Sequence, residues 1–366
     1  MFDLSILKNE EKATFALRSL YHSYGYLPFK MSKFEKYDLY VANKDFLVSD
    51  RVITFNDTDG TLLALKPDVT LSIVKNTAEA EGTVEKVYYN ENVYRVSGST
   101  GQFKEIMQTG LECIGDLTAS DVFEVVYLAA KSLSLVSESF ALDISHMGIL
   151  GAILDAASDN DLFKREITAL ISEKNAHEVT AVCKKYGVGT EYADIIKALS
   201  TTYGDAKTVL PKLLSLCVTD SARVAYGELS ELCSLLSSTE LADKIRIDFS
   251  VVNNMNYYNG IVFRGFLSGI CEGVLAGGEY GRLLAGMGRS SGAIGFALYL
   301  DLLSELDAAS ADYDVDVLLL YSDSASALEV SRKKSELIAE GKSVYAARRT
   351  PDKLRFKEVV KMGGDV

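Results

Sequence analysis

The chain has 366 residues, 48% of them apolar and 24% charged, with a formal net charge of −13. That length admits more than one domain and a large core, and the composition is that of an ordinary globular protein. The acidic balance speaks against a purely electrostatic grip on nucleic acid. Cys113, Cys183, Cys217, Cys233 and Cys271 are scattered without a CxxC pair, and there are only three histidines. This predicts reduced, mostly buried thiols, with no metal site and no disulfide frame. The first residues lack a basic stretch followed by an apolar one, and no apolar run is long enough for a bilayer. A cytoplasmic protein without membrane association is therefore expected.

In chain order, residues 9–23 predict a helix on the apolar positions Ala13, Phe15, Leu17, Leu20 and Tyr21, ended by Gly25. Residues 26–41 read as extended. Residues 52–75 hold two short strands around a turn at 56–60, then a helix opened by the segment Leu65-Lys66-Pro67-Asp68-Val69-Thr70. In that segment Asp68 and Thr70 suit a helix start. Residues 87–94 and 103–114 predict two strands joined by a loop. On the second, Gln108, Gly110 and Glu112 share one face. That face is either exposed, or it is a buried acid and amide that need a cationic or imidazole partner.

Residues 118–136 predict an amphipathic helix with Asp121 and Glu124 near its start, and 141–154 contain His146, which alone reads as structural. Residues 159–243 are mostly helical, with Pro211 opening a helix, and nothing in them carries chemistry. Residues 245–266 read as a hairpin: Ile245, Ile247, Phe249 and Val251 alternate with polar residues, Asn253 and Asn254 suit a turn, and an apolar run returns. Tyr257 and Tyr258 follow the turn, with Gly260 expected to leave open space beside them. Gly277 and Gly278 either admit a ligand close to the backbone or allow strand packing. Residues 295–303 read as the last helix of this part. A boundary is expected near 306–314. A strand at 315–321, a helix at 325–339 and a strand at 343–346 follow. Lys353, Arg355, Lys357 and Lys361 then form the solvated face of a basic helix.

These segments resemble, in order, the histidyl-tRNA synthetases. Residues 65–70 resemble the Arg-Pro-Glu/Asp-x-Thr element that holds the histidine amino group. Gln108-x-Gly110-x-Glu112 matches the histidine-reading element, and Arg95 matches the arginine that meets ATP phosphate. Tyr257-Tyr258 and Ile261-Val262-Phe263 match the motif Arg-Gly-Leu-Asp-Tyr-Tyr and its strand, and the last motif matches at Gly295-Phe296-Ala297. The resemblance implies an α+β fold: a class II aminoacyl-tRNA synthetase-like core with a mainly antiparallel sheet and flanking helices over 1–310, with a helical insertion at about 155–243. A partial anticodon-binding-like β-α-β module is implied over 311–366, the chain stopping short of the whole module. It implies a histidine site of Asp68, Thr70, Gln108, Glu112, Tyr257 and Tyr258, with Arg95 as the anion-binding candidate.

The departures point elsewhere. The motif's arginine is Asn253, the arginine of the last motif is Leu302, and the adenine-reading glutamate is Ser97. Residues 142–149 are similar to a signature of ATP phosphoribosyltransferase regulatory subunits. The two together imply a subunit without catalytic residues or cofactor that senses L-histidine, dimerises within a hetero-oligomer, and requires the short-form catalytic subunit. An active histidyl-tRNA synthetase and a stand-alone histidine sensor are the alternatives.

Overall fold

Ala13, Leu17 and Tyr21, spaced one turn apart, give the first helix (α1, Asn9–Ser23) its buried stripe. It ends where Gly25 turns left-handed (φ 82°) and its N–H returns to the His22 carbonyl. The computed structural model describes residues 7–47, 51–77, 82–96, 100–251, 257–308 and 313–363. The stretch at 26–41, expected to be extended, is broken up. β1 (Leu27–Pro28) and β2 (Phe34–Lys36) are short, and Tyr37–Ala42 is a helix, α2. Pro28 has no N–H with which to extend a ladder, and Tyr37, Tyr40 and Val41 have helical spacing with Tyr40 buried. β3 (Thr54–Asn56) and β4 (Leu62–Leu65) form the expected hairpin and join β2 in a three-stranded sheet. α3 (Thr70–Asn76) follows.

β5 (Val84–Val96) and β6 (Phe103–Gly115) run antiparallel from Val84↔Gly115 to Val96↔Phe103. Ser97 lies outside the described residues. The amphipathic α4 (Ala119–Val136) leads to β7 (Phe140–His146) and α5 (Met147–Ala157). The insertion is α6 (Asp161–Ser172), α7 (Ala176–Lys185), α8 (Thr190–Ser200), the short β8 (Tyr203–Gly204), α9 (Ala206–Leu216) and α10 (Asp220–Leu236). Pro211 lies inside α9 and does not open it; the N-cap is Asp205, whose carboxylate accepts the Thr208 N–H. β9 (Ile245–Asp248), β10 (Ile261–Leu267), β11 (Leu275–Glu279), the short helix α11 (Gly281–Gly286) and β12 (Gly292–Tyr299) complete this unit.

The strands assemble into a nine-stranded sheet in the order β1-β5-β6-β12-β11-β10-β7-β9-β8, antiparallel except for β1 with β5 and β7 with β9. Residues 245–266 are therefore not a hairpin. β7 lies between β9 and β10 and pairs with both. The alternation stops at Asp248, whose carboxylate accepts the Ser250 N–H, and Phe249–Val251 winds into a 3-10 turn. Asn253 and Asn254 lie outside the described residues. Residues 295–299, expected to be helical, lie in strand β12 (Gly292–Tyr299); only Leu300–Ala308 is helical, as 3-10. Gly295 and Phe296 sit mid-ladder between Glu112 and Leu111 of β6 and Gly278 and Gly277 of β11.

α4 seals one face of the sheet with Val125, Leu128, Ala129 and Leu133. The packing is close at Gly265, where a Cβ would lie 2.6 Å from Leu133 Cδ1. The opposite face is left for the site. The chain divides at 305/306. In the second unit β13 (Val315–Tyr321) is central, with β14 (Val344–Ala347) and β15 (Phe356–Met362) parallel on either side, and α12 (Ala327–Ala339) linking β13 to β14. The expected basic helix is instead a strand: Lys357 and Lys361 belong to β15. None of the described helices is long and apolar enough to cross a membrane.

Candidate functional site

A cavity of about 440 Å³ opens on the uncovered face, and every residue expected in the site lines it: Asp68, Thr70, Arg95, Gln108, Glu112, Tyr257 and Tyr258. The strand period explains why. Gln108 and Glu112 lie on the same side of β6 and are each only 2% exposed, which excludes the solvent-exposed reading of that face. The neighbouring strands present little bulk there: Gly295 and Ala297 on β12, Ala276 and Gly278 on β11, and Val262 and Arg264 on β10, register with β6 and one another. Residue 295 must be glycine, because a Cβ would stand 1.7 Å from the Glu112 carboxylate.

Glu112 is a buried acid on the cavity wall. Its carboxylate accepts from Thr70 Oγ1 at 2.9 Å and from the Tyr280 hydroxyl at 2.5 Å. Burial pushes its pKa up to about 8, those two hydroxyls oppose the rise, and the charge of Asp68 adds to it. The carboxyl thus keeps its proton at neutral pH unless a cation is brought against it. Four residues along β6, Gln108 Nε2 is buried with no hydrogen-bond partner among the described residues. An orphaned buried amide costs about 1–3 kcal/mol unless a partner arrives, so the chemistry of this wall calls for an acceptor on a ligand.

Asp68 and Arg95 form the rim. Asp68 has the helix-start contact expected of it: one oxygen accepts the Leu71 N–H at 2.9 Å, while the other lies 3.7 Å from Arg95 Nη2. Burial raises the Asp68 pKa, and Arg95 counters. Arg95 is oriented by donating Nε–H to the Pro67 carbonyl at 2.7 Å. Tyr257 packs on Tyr258 (4.7 Å between centroids, 72°) and on Tyr280 (5.8 Å), so the three rings form one aromatic wall of the cavity. Gly260 leaves no open space beside them, contrary to expectation: a Cβ would fall 2.1 Å from the Glu279 carboxylate. Of the paired glycines, Gly278 admits the Tyr258 ring and Gly277 admits Phe296.

Sequence reasoning missed Tyr280 and Arg264. Tyr280 follows the Gly277-Gly278-Glu279 run directly, and Arg264 has the strand parity of Val262; both signals were present. His146 is structural: Nδ1 accepts the Gly148 N–H and caps α5, and Nε2 lies 2.8 Å from Glu228 on α10. Leu302 is half-buried in the 3-10 stretch after β12 and does not line the cavity. Asn253 lies outside the described residues. All five cysteines are free, and all but Cys271 are buried.

The model of the family described as histidyl-tRNA synthetase matches residues 5–303. A relative from Oceanobacillus iheyensis named ATP phosphoribosyltransferase regulatory subunit is 28% identical over 293 residues, covering 79% of this chain and 72% of its own. Among solved structures, an ATP phosphoribosyltransferase regulatory subunit/histidyl-tRNA synthetase from Bacillus halodurans C superposes with a TM-score of 0.75 at 22% identity, covering 99% of both chains. An ATP phosphoribosyl transferase (HisG:HisZ) complex from Thermotoga maritima contains a chain similar over 80% of this one and 98% of its own, with a TM-score of 0.62 at 20% identity. With the order of its motifs, its class II sheet and a family match spanning most of its length, the chain belongs to the histidyl-tRNA synthetase family.

Proposed function

We propose that this chain is the non-catalytic regulatory subunit of an ATP phosphoribosyltransferase, that L-histidine occupies its cavity, and that it acts only when joined to the short-form catalytic subunit. One observation carries the reading. The cavity wall keeps buried polar groups that suit an amino acid: Glu112, held by Thr70 and Tyr280, and the orphaned Gln108. The residues that adenylation would need are replaced by Asn253, Leu302 and Ser97. Activating an amino acid drives a carboxylate onto a phosphate, and losing one preorganised donor to such a transition state typically costs about 10²–10³ in rate. Loss of two of the family's arginines and of its adenine-reading glutamate, with Arg95 and the amino-acid contacts kept, fits a sensor. The names of the Oceanobacillus relative and the Thermotoga complex point the same way.

In the proposed assembly two copies of the chain pair in a cytoplasmic hetero-oligomer. The test has two arms. Purified protein should show no histidine-dependent pyrophosphate exchange with ATP, and adding it to the short catalytic subunit should raise the rate at which ATP and phosphoribosyl pyrophosphate are joined. Exchange above a protein-free control would favour an active histidyl-tRNA synthetase. Failure of the two proteins to associate would favour a stand-alone histidine sensor.

A further inference from the structure

Two arginines line the cavity among the described residues, Arg95 and Arg264. Arg95 is committed to the Pro67 carbonyl and Asp68. Arg264 is not committed: it is half-buried, and among the described residues it has no hydrogen bond and no ion pair. The acid directly across the ladder, Asp143, leaves it free, since the charges acting on Asp143 are those of Asp248, Lys174 and Arg246. The guanidinium is nevertheless held in place. It lies over the Phe266 ring, 5.6 Å from its centroid, and Nε occupies space that only a glycine at 273 leaves, 2.1 Å from where a Cβ would be.

We infer that Arg264 anchors the carboxylate of the amino acid bound in this cavity, an inference that rests on the amino-acid reading above. The spacing supports it. β12 and β11 separate β6 from β10, and Arg264 is registered one alternate position from the row of Glu112. With strands ~4.8 Å apart and a rise of ~3.3 Å per residue, the two positions stand about 14 Å apart across the sheet and about 7 Å along it. An inward-reaching glutamate and an arginine leave between them a gap about one amino acid long. The floor between them is Gly295, Ala297, Ala276 and Gly278, with the Tyr258 ring standing over Gly278. The imidazole end then sits at Glu112, and the anionic end meets Arg264, which has no ion pair among the described residues. A planar guanidinium, with paired donors, suits a carboxylate.

The experiment is calorimetric titration of the intact protein with L-histidine, with histamine, which lacks the carboxylate, and with ATP. For Arg264→Ala the expected result is an L-histidine affinity about ten- to a hundredfold weaker, with histamine affinity unchanged within about twofold, as loss of one charged hydrogen-bonding partner predicts. Arg264→Lys should recover part of the loss. Equal losses for both ligands would mean that the arginine only holds the wall together, and would overturn the assignment. So would an unchanged L-histidine affinity, or a loss confined to ATP, which would place a phosphate there. If wild-type protein bound neither L-histidine nor histamine, the amino-acid reading itself would fall, and this assignment with it.

Discussion

Because Glu112 holds its proton up to about pH 8, the pocket and an imidazole enter their encounter with complementary pH ranges. Free imidazole takes up a proton below about pH 6.5. Between those values the free partners carry one proton between them, the number that a carboxylate–imidazolium pair holds, so binding moves no net proton. Below the range the ligand brings a second proton that must leave, and above it a proton must be taken up. Histidine affinity should therefore be greatest between about pH 6.5 and 8 and fall on both sides. Glu112→Gln should weaken binding by roughly 2–5 kcal/mol, the cost of removing one buried charged partner, and should abolish the alkaline limb while keeping the acid one. An alkaline limb that persists in the variant would show that another group titrates. The legibility of this residue was partial. Strand parity put Gln108 and Glu112 on one face, but whether that face was buried depended on Thr70 and Tyr280, which reach Glu112 from 42 and 168 positions away.

At the scale of elements, β12 divides its labour between two faces, and the faces should respond differently to substitution. Phe296 points to the buried side, 2% exposed, against the rings of Tyr21 (6.0 Å) and Phe263 (6.3 Å). Ala297 points into the cavity and remains partly exposed. Phe296→Ala should cost about 3–5 kcal/mol of stability, visible as an earlier denaturant midpoint. Ala297→Leu should leave that midpoint nearly in place and abolish histidine binding, because the added atoms fill the floor between Glu112 and Arg264. A large stability loss from Ala297→Leu would mean that the cavity is not available space. Which strand pairs with which was the part of these elements that the sequence hid. The alternation of 245–251 and the apolar run to 266 are real, yet β9 and β10 both choose β7. A long-range partner outcompeted the local turn, and the local pattern is the same either way. In the second unit the error was one of period. Lys353, Arg355, Lys357 and Lys361 occupy alternate positions, a strand spacing, and part of that run does form β15.

For the whole molecule, the proposed function requires that the chain act through another protein. Histidine bound here can alter a partner's rate only by favouring one state of the assembly over another, and the shift cannot exceed the difference in histidine affinity between those states. If histidine favours an inactive assembly, that assembly binds histidine more tightly, by the same factor. Couplings of this kind are typically about 1–3 kcal/mol, roughly 5–150-fold. The expected outcome is that histidine inhibits the reconstituted enzyme, and that Tyr258→Ala, which removes a ring from the cavity wall, shifts the inhibition to higher histidine concentration without lowering the uninhibited rate. The substrates of the catalytic subunit should in turn weaken histidine binding to the complex, by the factor with which histidine weakens theirs. Those two factors can be measured independently, one by titrating histidine at saturating substrate and the other by titrating substrate at saturating histidine. Inhibition that Tyr258→Ala leaves untouched would place the effector site on the catalytic subunit and leave this cavity with another purpose.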